Sequence, residues 1–277
     1  MKKQSRQAKA KTSIPREARE LIRRVKLKVV KGSSLPDELV FTDEAGEAPA
    51  VIRSLTASEN EVDSYSALHG EIDIWETSEL HTLEISRVAT LSALATYARK
   101  LRKLRTLRLT WPTIAATTAY DIAPIGDVLG LRDLSLWNCG AKSIAPLARL
   151  AKLRVLEIGG DTASLPLEDL SPLRTLENLT ELHLLISKID DLMPLSGLSK
   201  LKTLSIQHSP VTNLKPLSKL HNLRQLSFYW TAASDLKPLE KLTQLKSLEI
   251  TPATKIDSAQ RSRIQQKLPN CRFHFVD

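Results

Sequence analysis

The sequence predicts an α/β solenoid, a stack of about eight short repeats that share one continuous core. Two observations predict it, and they keep the same beat. From Leu80 one pattern recurs as LHTLEIS, LRTLRLT, LRDLSLW, LRVLEIG, LTELHLL, LKTLSIQ, LRQLSFY and LKSLEIT, starting at Leu80, Leu104, Leu131, Leu153, Leu179, Leu201, Leu223 and Leu245. The spacings are 24, 27, 22, 26, 22, 22 and 22 residues. A proline marker, in IAPI, IAPL, LSPL, LMPL, LKPL and LKPL, follows at Pro124, Pro146, Pro172, Pro194, Pro216 and Pro238, spaced by 22, 26, 22, 22 and 22. The longer repeats therefore carry their extra residues ahead of the proline, over about 112–121 and 161–169. No single repeat can bury its leucines alone, whereas stacked neighbours build one core. The side chains at pattern positions 1, 4 and 6 point inward, each contributing about 1.5 to 3 kcal/mol of burial.

These motifs resemble the leucine-rich repeat family, most closely the 22-residue type of internalins and of the leucine-rich regulatory subunit of type-1 protein phosphatase. The resemblance covers about residues 80–277. It implies a right-handed curved superhelix in which each turn lays one short strand into a parallel sheet on the concave face, with capping elements at both ends.

Taken in order, the chain begins with a basic flexible arm over 1–20. An N-terminal cap of short strands follows over 21–79, where VKLKVV (25–30) alternates like a strand with Lys26 and Lys28 on its wet face. EIDIW (71–75) stands too close to LHTLEIS for a full turn and reads as an antiparallel hairpin closing that edge. The repeats occupy 80–252. A C-terminal cap fills 253–277, with a helix and a last strand in SAQRSRIQQKLPNCRFHFV (258–276), because an open sheet edge invites aggregation.

The formal charge of +9 is an attribute of the arm. Residues 1–31 hold twelve Lys and Arg against Glu17 and Glu20, a net of +10, which leaves about -1 for the other 246 residues. The arm is thus the one region that suits nucleic acid or an anionic membrane surface. A solvated tail is the simpler reading, since the apolar stripe of Ala18, Leu21 and Ile22 in PREARELIRR is thin. No stretch resembles the apolar core of a signal peptide or the roughly 20 apolar residues of a membrane span. Glu17 and Glu20 speak against an organelle presequence, so a cytoplasmic location is expected.

Little in the sequence points to catalysis. Cys139 and Cys271 fall six strand steps apart, on the order of 29 Å at about 4.8 Å per step, too far for a disulfide; both read as buried thiols. The six histidines have no metal-ligand spacing, and no phosphate-cradling glycine loop or nucleophile motif occurs. Glu157 and His183 share a pattern position on adjacent strands, with Glu181 on the same face. Such a cluster is either a metal or acid-base site or a surface hydrogen-bonded pair, and an open sheet without a water-excluding cleft favours the latter. Neither cofactor nor metal is expected, and the chain is not expected to be an enzyme.

The positions that project from the sheet carry the binding expectation. Positions 3 and 5, including Arg108, Glu157, Glu181 and His183, form a polar floor with more acid than base, which suits a protein partner better than phosphates. Position 2 is cationic in six repeats of seven from Leu104, but Lys or Arg is ordinary there in the family the chain resembles, and long stems lie over a sheet edge with their charges wet.

Positions 7 and 8 hold Trp111, Trp137, Tyr229 and Trp230, with Leu185, Gln207 and His208 between them. Four of the six aromatics from 104 to 250 fall there. Tyr229 and Trp230 lie four strands beyond Trp137, about 19 Å away, with a low spot expected at Gly159 and Gly160. Aromatics of this kind dominate interface hot spots. They are either the anchors of a partner-binding strip or structural cover beneath the inserted segments. In the first case Trp111→Ala and Trp230→Ala leave stability nearly unchanged and abolish binding. The leading expectation is a non-catalytic module that binds a protein as scaffold, regulatory subunit or inhibitor. The alternative is a nucleic-acid or anionic-membrane adaptor acting through the arm.

Overall fold

A computed structural model describes residues 28–31, 40–41, 50–58, 81–86, 94, 98, 101–111, 120–160, 167–185, 188–251 and 256–276, those of 28–58 and 84–86 through their backbone alone. Residues 1–24 and 71–75, on which the arm, PREARELIRR and EIDIW fall, lie outside them, as do Lys26 and Ile186.

Twelve strands form one sheet. They are β1 (Lys28–Lys31), β2 (Val40–Phe41), β3 (Ala50–Ser58), β4 (Thr82–Ser86), β5 (Thr106–Thr110) and β6 (Asp133–Trp137), followed by β7 (Val155–Gly159), β8 (Glu181–Leu185), β9 (Thr203–Ser209), β10 (Gln225–Thr231), β11 (Ser247–Thr251) and β12 (Arg272–Phe275). The order is β1-β3-β4 and then consecutive to β12, with β2 also on β3. β1 and β2 run antiparallel to β3, and every pairing from β3 onward is parallel. The sheet thus reaches past Leu80: β3 pairs with β4 in the repeat register, Leu55 beside Leu83 and Ala57 beside Ile85. Both edges of β4 are taken, by β3 and β5.

Register puts like beside like. Position 4 stacks Leu107, Leu134, Leu156, Leu182, Leu204, Leu226 and Leu248 in one row, and position 6 stacks Leu109, Leu136, Ile158, Leu184, Ile206, Phe228 and Ile250. All are buried. Each row continues through every rung, so one core runs the length of the described repeats.

Opposite the strands run six short 3-10 helices, η1 (Ala123–Asp127), η2 (Ala145–Arg149), η3 (Ser171–Thr175), η4 (Met193–Gly197), η5 (Lys215–Lys219) and η6 (Lys237–Lys241), each with the marker proline in its first turn. Proline suits that place because its fixed φ fits the turn and the absent N–H has no acceptor to lose. Two residues ahead, a side-chain oxygen accepts from the first N–H of the turn. Asp121, Asp169, Asp191 and Asp235 do so at 2.8, 2.7, 2.8 and 2.9 Å, and Ser143 and Asn213 at 3.2 and 3.1 Å. The hydrogen bonds to Ser171 hold the Asp169 carboxyl below its ordinary pKa.

At the far end, helix α1 (Ser258–Lys267) is capped by Asp257, which accepts from Gln260 N at 2.7 Å, and β12 closes the sheet. The Arg261 guanidinium sits 5.4 Å from the Phe275 ring centroid. Both described cysteines are free. Cys139 is buried, which pushes its thiol pKa up. Cys271, one residue ahead of β12, is half-buried instead of buried, and its pKa is pushed up to about 11 by that partial burial.

Candidate binding surface

Position 8 divides the aromatics. In an extended strand side chains alternate, so a residue two beyond the inward position 6 also points inward. Trp111 follows that rule. It is only 1% exposed and belongs to the core, with Tyr120 tilted against it at 5.6 Å between ring centroids. The expectation that Trp111 is a partner anchor is therefore corrected: its side chain is structural.

Asn138, His208 and Trp230 break the alternation because their φ angles are 61°, 49° and 54°. This left-handed backbone swings position 8 outward, and position 9 turns in behind it: Cys139 is buried, and buried Ser209 donates to the Ile189 carbonyl at 2.6 Å. Repeat length decides between the two outcomes. In repeats of 22 residues the chain must turn straight after position 7. In the repeats of 27 and 26 residues, which start at Leu104 and Leu153, Trp111 and Gly160 keep ordinary φ angles and are buried.

Trp230 is 59% exposed and stacks on His208, with centroids 5.8 Å apart and planes 8° from parallel. Beside them Tyr229 is half-buried. Its phenol pKa is pushed up to about 12, first by burial and then by the hydrogen bond to and negative charge of Glu249. Glu249 also lies 3.9 Å from His274 Nε2.

Position 7 forms the other part of the strip. The low spot expected at Gly159 is filled by its neighbour. A Cβ built on Gly159 would stand 2.7 Å from the Trp137 ring and 3.2 Å from Leu185 Cβ, so the half-buried indole lies across the glycine toward Leu185. Leu185 pairs in register with Gln207, and Gln207 with Tyr229. Trp137, Leu185, Gln207, Tyr229, His208 and Trp230 therefore make one band across five strands.

Below the band lies the polar floor. Position 5 runs Arg108, Ser135, Glu157, His183, Ser205, Ser227, Glu249 and His274 in register. Ser135 Oγ donates to Glu157 Oε2 at 2.9 Å, and Thr106 Oγ1 to Asp133 Oδ2 at 3.3 Å. Glu157 and His183 are lateral neighbours, half-buried on the sheet, while Arg108 and Glu181 are exposed. Among the described residues no three His, Cys, Asp or Glu side chains are grouped to hold a metal ion.

Two solved structures share this architecture. An internalin (inlF) from Listeria monocytogenes str. 4b F2365 matches with a TM-score of 0.53 and 22% identity over 74% of this chain and 65% of its own. The chain thus spans less than two thirds of that protein's length. An internalin C2 (inlC2) from the same organism matches with a TM-score of 0.55 and 22% identity, over 74% of this chain and 86% of its own. The chain has the leucine-rich repeat fold of the internalins. No protein-family model and no curated protein matches the sequence.

Within that leucine-rich repeat fold, sequence reasoning missed two features of the surface. One is the indole of Trp137 over Gly159, whose signal was a glycine directly beside a tryptophan in register. The other is the link from Tyr229 to Glu249, which joins position 7 of one strand diagonally to position 5 of the next. Among the described residues no helix is long and apolar enough to cross a membrane.

Proposed function

We propose that this chain is a non-catalytic, cytoplasmic module that binds one protein partner through the band from Trp137 to Trp230 and the polar floor beneath it. The observation that carries the reading is Trp230. Bulky residues avoid left-handed backbone, at a cost of about 1 to 2 kcal/mol, and Asn138 shows that a cheaper residue serves the same turn. An exposed indole recovers little of that cost by burial. A tryptophan held outward in a disfavoured conformation, beside a stacked histidine and a half-buried tyrosine, is what a binding hot spot requires. The floor adds polar groups of both signs, including Arg108, Glu157, Glu181 and His183, which suit the rim of a protein interface. A scaffold, a regulatory subunit and an inhibitor all fit this surface.

The reading is tested by affinity capture with wild type and a Trp137→Ala/Tyr229→Ala/Trp230→Ala variant, compared by mass spectrometry and circular dichroism. A protein retained by wild type and lost from the folded variant supports it. Equal capture by both sinks it.

A further inference from the structure

We infer that the edge of the sheet where the strands begin is a second docking surface, for an extended acidic polypeptide segment. It is built by position 2. The backbone N–H groups of Arg132, Arg154, Lys202, Arg224 and Lys246 each donate to the carbonyl of the position-2 residue of the preceding repeat, at 2.7 or 2.8 Å. These residues therefore stack at the strand spacing, interrupted once by Thr180 on β8. Arg105, which starts the row, is tied down: its guanidinium donates to the carbonyls of Arg102 and Leu104 at 2.8 and 2.9 Å. The other five are exposed, and none makes a side-chain hydrogen bond or ion pair among the described residues.

Like charges stacked this closely repel, and no described side chain is paired with them. Elsewhere on the molecule charges do pair, as in Arg149 of η2 with Asp127 of η1, and Arg263 of α1 with Glu240 of η6 at 2.7 Å. Nor is the row a by-product of general basicity, because the chain after residue 31 sums to about -1. Four carboxylates, those of Asp121, Asp169, Asp191 and Asp235, cap the 3-10 turns beyond the opposite ends of the strands.

From β6 to β11 the row spans on the order of 24 Å, the length of about seven residues of extended chain. An acidic segment laid along it meets one cation at every strand but β8. Nucleic acid fits less well. Among the described residues the edge offers no Phe, Tyr or Trp on which bases could stack, and the floor beside it carries Asp133, Glu157 and Glu181, which would face the second phosphate strand of a duplex. This inference stands on different residues from the aromatic band and does not depend on it.

The test measures binding of fluorescent poly-glutamate to the full chain by anisotropy, at low salt and at about 0.15 M. The proteins are wild type, Trp230→Ala and the charge reversal Arg154→Glu/Lys202→Glu/Arg224→Glu. The expected result is affinity that weakens about tenfold or more with salt, an equal loss in the reversal, and no loss in Trp230→Ala. Equal binding by wild type and reversal would place the affinity in residues 1–31 and overturn the inference, as would no binding at all. Duplex DNA that binds more tightly than poly-glutamate and is released by the reversal would also overturn it, in favour of nucleic acid. If the reversal fails to fold, the neutral Arg154→Gln/Lys202→Gln/Arg224→Gln variant replaces it with the same expected loss.

Discussion

Tyr229 shows how one side chain couples the surface to the chemistry of its neighbours. Partial burial and the Glu249 carboxylate both disfavour the phenolate, raising the pKa to about 12. A group whose pKa is raised on folding stabilises the fold most when it is protonated. Its contribution is therefore complete below about pH 10, the ordinary phenol value, and is lost as pH rises through about 12. Spectrophotometric titration of the four tyrosines is expected to show one step near the top of the range that Tyr229→Phe removes. Glu249→Gln is expected to lower that step without abolishing it, because burial is the larger cause. A titration in which Tyr229→Phe leaves the highest step in place would contradict this assignment.

At the scale of the element, the 3-10 turns are the parts whose cause was only half visible. Six prolines in step marked the turns from the sequence alone. The Asp, Asn or Ser three residues before each proline went unread, although it satisfies the first N–H of the turn and recurs with the same beat. These are exposed caps, and loss of one costs about 1 kcal/mol. Asp191→Ala is expected to lower stability by that amount in denaturant unfolding, with Asp191→Asn nearly neutral because its side-chain oxygen still accepts. If the alanine and asparagine variants unfold alike, the hydrogen bond to Met193 contributes nothing. The strands were legible for a simpler reason: positions 4 and 6 are apolar in every rung, and the pleat leaves no other way to bury them.

At the scale of the whole molecule, the stack, its parallel register and its core were readable because every repeat states the same pattern. The surface was less readable because exposure at position 8 is set by the length of the repeat and not by the residue there. Trp111 and Trp230 occupy equivalent positions, yet Trp111, in the 27-residue repeat, keeps an ordinary φ and lies in the core, whereas Trp230, in a 22-residue repeat, turns outward. The spacing of 27 against 22 was visible from the start; its effect on backbone φ was not. The parallel strand β3 was hidden for a related reason, since AVIRSLTAS lacks the leucine rhythm that marked the later rungs.

The most direct measurement compares Trp111→Ala with Trp230→Gly in the same two assays, thermal unfolding and partner capture. Trp111→Ala empties a core site and is expected to cost about 3 to 5 kcal/mol, reversing the expectation drawn from the sequence. Trp230→Gly keeps the left-handed turn with the residue best suited to it, so its melting temperature is expected to be unchanged or raised while the partner is lost. A Trp230→Gly protein that melts as wild type does and still retains the partner would contradict the assignment of the aromatic band as the binding surface.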